Sequence, residues 1–273
     1  MAQSISVIVP AYNEEENIEE TVRACQRVLP TLIEAYEIIV VNDGSSDNTG
    51  KKADELAKSI PSLKVYHHAQ NKGMGAAVQT GIANSKNELI FPIPADLQFD
   101  IGELEKFLAL IHEADIVIGY RVQRDYSLYR RFITFVNHTL LNLMFGVRVK
   151  DPSWVKLFRK NVFDSITITS PRFFWEAEVL IKARLHNLKI QEVEVHSYPR
   201  RSGVSSGGKP ISAIKSFFAL LKFWLQNKNK TYLALALFAL LVSLFYGATL
   251  QNGFIYDDKQ QVQENKYIQS LRY

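Results

Sequence analysis

With 273 residues, 47% of them hydrophobic and 22% charged, the chain has the composition of a globular protein and length for one large domain or two small ones. A formal net charge of +4 is too mild to imply nucleic acid as a partner. The single cysteine, Cys25, excludes an internal disulfide framework and fits a reducing compartment.

The N-terminal MAQSISVIVPAYNEEEN has no basic leader and only a short apolar run, so it reads as a strand and not as a secretion signal. Residues 5–9, 37–42, 63–67, 88–93 and 115–120 are β-branched runs that predict strands. Residues 14–29, 47–59, 73–85 and 101–113 have the apolar spacing of the helices between them. This βαβα order implies an α/β fold: a Rossmann-like, mostly parallel sheet covered on both faces. Ligands bind beyond the carboxyl ends of such strands. The loops there are PAYNEEE, DGSSDNT, HAQNKGMGAA, PADLQFD and RVQRDYSLYRR, every one polar and charged.

Further along, 127–145 and 173–187 read as helices, 155–159 and 189–198 as strands, and PRRSGVSSGGKP as a loop. From Ile211 to about Gln226, Ile211, Ile214, Phe217, Phe218, Leu221 and Trp224 share one helical side, with Lys215 and Lys222 on another. This pattern predicts a helix lying in a membrane interface, an ordinary core helix being the other reading. The segment 231–250, TYLALALFALLVSLFYGATL, is 20 residues without a charge. That is the length a helix needs to cross a hydrocarbon core of roughly 30 Å, against the alternative of a buried core helix. Lys215, Lys222, Lys228 and Lys230 precede it and Asp257 and Asp258 follow, which puts residues 1–230 in the cytoplasm. The expected organisation is therefore a cytoplasmic domain at 1–209, an interfacial helix at 210–227, a membrane span at 231–250 and an extracytoplasmic tail at 251–273.

Chemistry-bearing residues cluster in the strand-end loops. The carboxylates of Glu14 and Asp43 repel phosphate but can accept N–H bonds from a nucleobase or one bond from a ribose hydroxyl. Helix capping is the competing role for this pair of loops, with Asn13 before EEENI and Asp47 before a helical run. Asp47 is read as the cap, and the resemblance given below implies Asp43 as the ligand. Gly73 and Gly75 fall where a strand turns into a helix, either a tight turn or bare backbone approaching an anion, and Lys72 is either a phosphate contact or solvated. Asp96, with Gln98 two residues on, stands at a strand end and offers the oxygen donors that a hard divalent cation takes. His67, His68 and His138 lie in no metal-like spacing and read as structural.

Taken in order, these loops resemble the inverting family 2 nucleotide-sugar glycosyltransferases of the GT-A fold, among them the dolichol- or polyprenol-phosphate sugar synthases. The resemblance runs from residue 4 to about 210. Pro10, Tyr12, Asn13 and Glu14 match the first strand-end motif, Asp43, Gly44, Ser45 and Asp47 match DGSxD, and Asn71, Gly73, Gly75 and Ala76 match NxGxGxA. Asp96, Leu97 and Gln98 match the end of DADLQ, Gly119 and Arg121 match GxR, and FWEAEVLIKA, EVEVHSYPRR and SGVSS match the later pattern.

The resemblance implies a nucleotide-diphosphate sugar, of GDP-mannose or UDP-glucose type, held by Pro10, Tyr12, Glu14, Asp43, Asn71, Gly73, Gly75, Ala95 and Asp96. It implies Mg²⁺ or Mn²⁺ at Asp96 and Gln98, although Pro94 occupies the place of the motif's usual first acidic residue. Asp96, Arg121 and Arg130 are the expected catalytic residues. Because a polyprenyl or dolichyl phosphate is already anionic, it needs cations and not a general base. Arg121, Arg130, Arg131, Thr134, Arg200 and Arg201 are the expected acceptor-phosphate group, with SLYRRFIT matching SLxRxxI[ST]. A solvated helix face is the other reading for those on the helix.

The QxxRW motif of processive synthases is absent, leaving a lone Arg159, so a single transfer is expected. Glu176 and Glu178 fall where the family carries an acidic residue near the acceptor. The tail GFIYDDKQQVQEN looks like the first outer loop of polytopic lipid-linked-sugar transferases, or is a polar tail. Membrane lipid is an expected partner, and a homo-oligomer is left open. Two other functions fit the sequence: transfer to a glycan or protein hydroxyl, which would require a base, and non-catalytic nucleotide-sugar binding at a membrane.

Overall fold

The computed structural model describes residues 4–122, 128–170, 172, 174–199 and 218–225, with the backbone alone for 128–133. The chain divides into two compact units, Met1–Ala219 and Leu220–Tyr273. In the first unit, strands β1 (Ser4–Ala11), β2 (Ala35–Asn42), β3 (Leu63–His67) and β4 (Leu89–Pro92) alternate with helices α1 (Ile18–Leu32), α2 (Thr49–Ala57) and α3 (Met74–Ala83). The helical stretch read at 101–113 is helix α4 (Leu104–Leu110) flanked by 3₁₀ turns Ile101–Glu103 and Ile111–Glu113. There follow β5 (Ile116–Arg121), α5 (Leu128–Phe145), β6 (Lys156–Arg159), α6 (Val162–Ser165), α7 (Trp175–Leu185) and β7 (Ile190–Val195).

Of the boundaries that differ from the sequence reading, two have identifiable reasons. The first helix begins at Ile18 and not at residue 14, because Asn13 takes a left-handed φ of 55° and Asn17 N–H closes a turn on Glu14 O. The last strand ends at Val195 and not at 198. There His196 N–H donates to Glu103 Oε2 and Tyr198 N–H to Gln98 O, which draws the chain off the sheet toward the loop after β4.

Among the described residues one seven-stranded sheet runs β3-β2-β1-β4-β6-β5-β7. β6 is antiparallel to β4 and to β5, and the other pairings are parallel. Reversing direction twice across β6 leaves β5 and β7 running with β1 to β4, so all six present their carboxyl ends on one edge. The chain moves outward from β1 to β3 and then returns to β4 on the other side of β1, which makes the β1/β4 boundary the topological switch point.

Period-2 alternation sets the layers. Ile5, Val7 and Val9 of β1 join a buried cluster with Ile18, Val22, Cys25 and Leu29 of α1 and Leu104 and Phe107 of α4. Burial in this layer pushes the Cys25 thiol up to about 12, so it is an inert core group.

Among the described residues no helix is long and apolar enough to cross a membrane. The expected span at 231–250 and the tail at 251–273 lie outside the described residues. Of the expected interfacial helix, residues 218–225 are described, and they are helical.

Candidate active site

The loops after β1 and β2 are laced together. Asn13 N–H donates to Ser45 Oγ at 3.0 Å, Ser46 N–H to Asn13 Oδ1 at 2.9 Å, and Glu14 N–H to Thr49 Oγ1 at 2.8 Å. Asp47 accepts from Thr49 N at 3.0 Å and from Glu15 N at 3.2 Å, so it serves the first turn of α2 from one residue outside Asn48, the cap position. Partial burial pushes its carboxyl up, but the bonds from Thr49 and Glu15 prevail and hold it below the usual range. Tyr12 is 47% exposed at the end of β1. Glu14 is half-buried and accepts from Asn17 Nδ2 at 2.7 Å.

Beside Tyr12 lies Asp43, whose N–H donates to Ala11 O at 2.8 Å. Its side chain is buried and heavily engaged. Oδ1 accepts from Lys72 N at 2.9 Å and lies 2.6 Å from His68 Nδ1, while Oδ2 accepts from Gly73 N at 2.7 Å. The carboxylate is thus seated against the turn that opens α3, with Gly73 at φ 100° in the cap position, Gly75 in the first helical turn and Asn71 half-buried just before. Gly44 makes the seat possible: at φ 66°, a Cβ there would fall 2.4 Å from the carbonyl carbon of Gln70. The sequence reading takes His68 as structural and cannot name its partner, which is 25 positions away and meets it only when β2 and β3 pair.

The loop after β4 is held from below. Phe99 makes edge-to-face contacts with Phe91 of β4 at 5.6 Å and with Phe107 of α4 at 6.1 Å. Ala95 is buried and its carbonyl accepts from Thr21 Oγ1 at 3.0 Å. Between these anchors Asp96 is half-buried and accepts from Gln98 N at 3.2 Å, across Leu97 at a left-handed φ of 60°. No group of three His, Cys, Asp or Glu suited to a metal occurs among the described residues. Pro94 supplies no ligand, so the local donor set is one carboxylate and one amide. That chemistry fits a hard cation that keeps several waters and takes further oxygens from a diphosphate.

Arg121 closes β5 on the same sheet edge. Its Nε and Nη2 reach Asp151 Oδ2 and Oδ1 at 2.8 and 3.2 Å, and the guanidinium lies 4.2 Å over the Trp154 ring. Both contacts fix the plane of the fork. Lys156 of β6 is buried here, 2.7 Å from Trp154 O and 3.5 Å from Glu176 Oε1. Burial drives the Lys156 ammonium down and the Glu176 carboxyl up, each toward its neutral form. Sequence reading missed Asp151, Trp154 and Lys156, which sit in no motif it used.

Glu178 has another task. It is fully buried and accepts from Thr169 N, Ser170 N and Lys182 Nζ, so it pins the stretch before α7. Thr134 is half-buried on α5. Arg130 and Arg131 lie in the first turn of α5 with side chains outside the described residues, as are Arg200 and Arg201 altogether.

Residues 6–167 match the family model of glycosyl transferase family 2. The chain belongs to that family. It is 31% identical over 229 residues to a dolichol-phosphate mannosyltransferase of Pyrococcus furiosus, covering 80% of this chain and 62% of that protein. It is also 31% identical over 209 residues to a dolichyl-phosphate β-glucosyltransferase of Trichomonas vaginalis, covering 70% and 64%. The chain thus spans a little under two thirds of the length of these relatives. Among solved structures it is similar to glucosyl-3-phosphoglycerate synthase from Mycobacterium tuberculosis, a crystal structure in complex with Mn²⁺, UDP and glucosyl-3-phosphoglycerate. The TM-score is 0.63 at 19% identity, over 83% of this chain and 81% of that one. The chain therefore has an α/β, GT-A-like fold with a mostly parallel sheet, shared with that synthase.

Proposed function

We propose that this family 2 chain transfers a single sugar from a nucleotide-diphosphate sugar, of GDP-mannose or UDP-glucose type, to a polyprenyl or dolichyl phosphate. Transfer takes place at the cytoplasmic face of a membrane, with inversion at the anomeric carbon. The observation that carries this reading is the common sheet edge. Asp96 follows β4 and the Asp151-held Arg121 ends β5, with only β6 between their strands and both carboxyl ends facing the same way. A donor in the β1/β4 crevice and an anionic acceptor at Arg121 would meet over that edge.

On the donor side, exposed Tyr12 and the Asp43 carboxylate follow the paired strands β1 and β2, and would offer a base a stacking face and a hydrogen-bond acceptor. Pro10, Glu14, Asn71, Gly73, Gly75 and Ala95 complete the proposed donor site. Asp96 and the amide oxygen of Gln98 would hold Mg²⁺ or Mn²⁺, which supplies charge neutralisation for the leaving diphosphate. On the acceptor side, Arg121 presents an oriented guanidinium, and Arg130, Arg131, Thr134, Arg200 and Arg201 are assigned to the same phosphate. An oxygen of that phosphate bonds to the anomeric carbon as the bond to the nucleoside diphosphate breaks, and no proton has to be removed.

The lipid acceptor is supported by what the relatives are named for and by the uncharged segment 231–250. We assign 1–209 to the cytoplasmic catalytic domain, 210–227 to an interfacial helix, 231–250 to a single span and 251–273 to an extracytoplasmic tail. The test is Asp96→Ala in the full chain. Transfer of labelled sugar to lipid should fall by roughly 100-fold or more, while circular dichroism and the thermal midpoint stay put. Full turnover in that variant would remove Asp96 from the site.

A further inference from the structure

A buried carboxylate can recognise a base only if its lone pairs point the right way, and Asp43 is aimed by three donors. Among the described residues Oδ1 accepts two hydrogen bonds and Oδ2 one, of the roughly four a carboxylate takes. One acceptor position is left on Oδ2. Two of the donors, Lys72 N–H and Gly73 N–H, are peptide groups fixed by the turn before α3. The third is the imidazole of His68, with 6% of its side chain exposed against 4% for Asp43.

His68 is itself held from behind. Its Nε2 lies 2.9 Å from Thr80 Oγ1, two turns into α3. Donation from Nδ1 to a carboxylate requires the proton on Nδ1. In the neutral ring Nε2 is then an acceptor, which the Thr80 hydroxyl satisfies by donating. Asp43, His68 and Thr80 form a chain from the end of β2, across the residue after β3, to α3. Every link is side chain to side chain in a site nearly closed to water, where such bonds are strong.

We propose that His68 is a positioning residue for donor recognition, its imidazole orienting Asp43 so that Oδ2 meets the N–H edge of the nucleotide base. The proposal rests on the reading of Asp43 as the base-binding carboxylate. It assigns to His68 a role in donor affinity and none in the chemical step, because its ring contacts Asp43, which stands at the base end of the proposed donor site, and Thr80 of α3 behind it.

Two substitutions separate orientation from mere packing. The side-chain nitrogen of Asn can stand where Nδ1 stands, so His68→Asn keeps the bond to Asp43. Gln reaches to the position of Nε2, so His68→Gln keeps the Thr80 side and leaves Asp43 without this donor. UDP, GDP, ADP, CDP and dTDP are titrated into the full-length protein, and the tightest binder is used throughout.

Loss of a charge-assisted hydrogen bond should weaken its Kd by about tenfold in His68→Gln and by less than about threefold in His68→Asn. In turnover, His68→Gln should raise KM for the nucleotide sugar by about the same factor with kcat little changed. Equal Kd values for both variants and the parent, or a loss confined to kcat, would overturn the proposal. So would a matching fall in thermal midpoint for both variants with nucleotide affinity unmoved, which marks a structural role.

Asp43→Ala serves as the reference. If it leaves nucleotide affinity unchanged, or if no nucleotide binds the parent, the base reading itself fails and His68 falls with it. If Asp43→Ala loses affinity and His68→Gln does not, only the role of His68 fails. Thr80→Val keeps the question answerable should His68→Gln not fold. It leaves Asp43 and the imidazole intact, and a Kd raised about threefold supports orientation through His68, whereas an unchanged Kd overturns it.

Discussion

At the scale of single residues, the geometry that aims the carboxylates depends on a few backbone positions. Gly44 combines a left-handed φ of 66° with a space in which a Cβ would meet the Gln70 carbonyl carbon at 2.4 Å. Gly44→Ala therefore adds the left-handed penalty of roughly 1 to 2 kcal/mol to a backbone clash. We expect about 2 to 4 kcal/mol of lost stability in chemical denaturation. A loss under about 0.5 kcal/mol would mean that the turn after β2 relaxes freely. That Asp43, Asp96 and Arg121 come to strand ends on one sheet edge was legible at this scale, because each stands at or shortly after a strand-like run. The partners of those residues were not legible. His68, Asp151 and Trp154 act through pairings fixed by strand order, and one chain of letters does not state strand order.

At the scale of elements, α7 is locked by a buried carboxylate. Burial alone would raise the Glu178 pKa, but hydrogen bonds from Lys182, Thr169 and Ser170 prevail and the folded value lies below 4.5. A group depressed in the folded state stabilises above its unfolded value and loses that contribution as pH falls through the folded value. Glu178→Gln should therefore cost roughly 3 kcal/mol near pH 7, with the difference from the parent shrinking as pH drops below 4.5. Thermal midpoints measured from pH 3 to 7 check this, and a difference that stays constant across the range would contradict it. Glu178 had been matched to an acidic position near the acceptor, but its neighbours give it structural work. Elements themselves were legible to within a few residues, since hydrophobic period reports layer and face. The β1 to α1 boundary was not, because a left-handed Asn13 delays the helix to Ile18. Nor did periodicity reveal that β6 runs against both its neighbours.

At the scale of the whole molecule, the switch point between β1 and β4 explains why loops scattered over more than 100 positions bear on one place. Each parallel strand delivers its following loop to the same edge, and the crevice opens where the order reverses. In our proposal Arg200, Arg201 and the uncharged stretch 231–250 are the sequence features that go with a membrane, because a lipid phosphate has to be met at the interface. The most direct measurement uses the membrane-embedded full chain with polyprenyl phosphate and a panel of labelled nucleotide sugars, with and without EDTA, counting label extracted into organic solvent. We expect label from one donor, abolished by EDTA. Label that resists EDTA would contradict the divalent cation at Asp96, and no extractable label from any donor would contradict the lipid-phosphate acceptor.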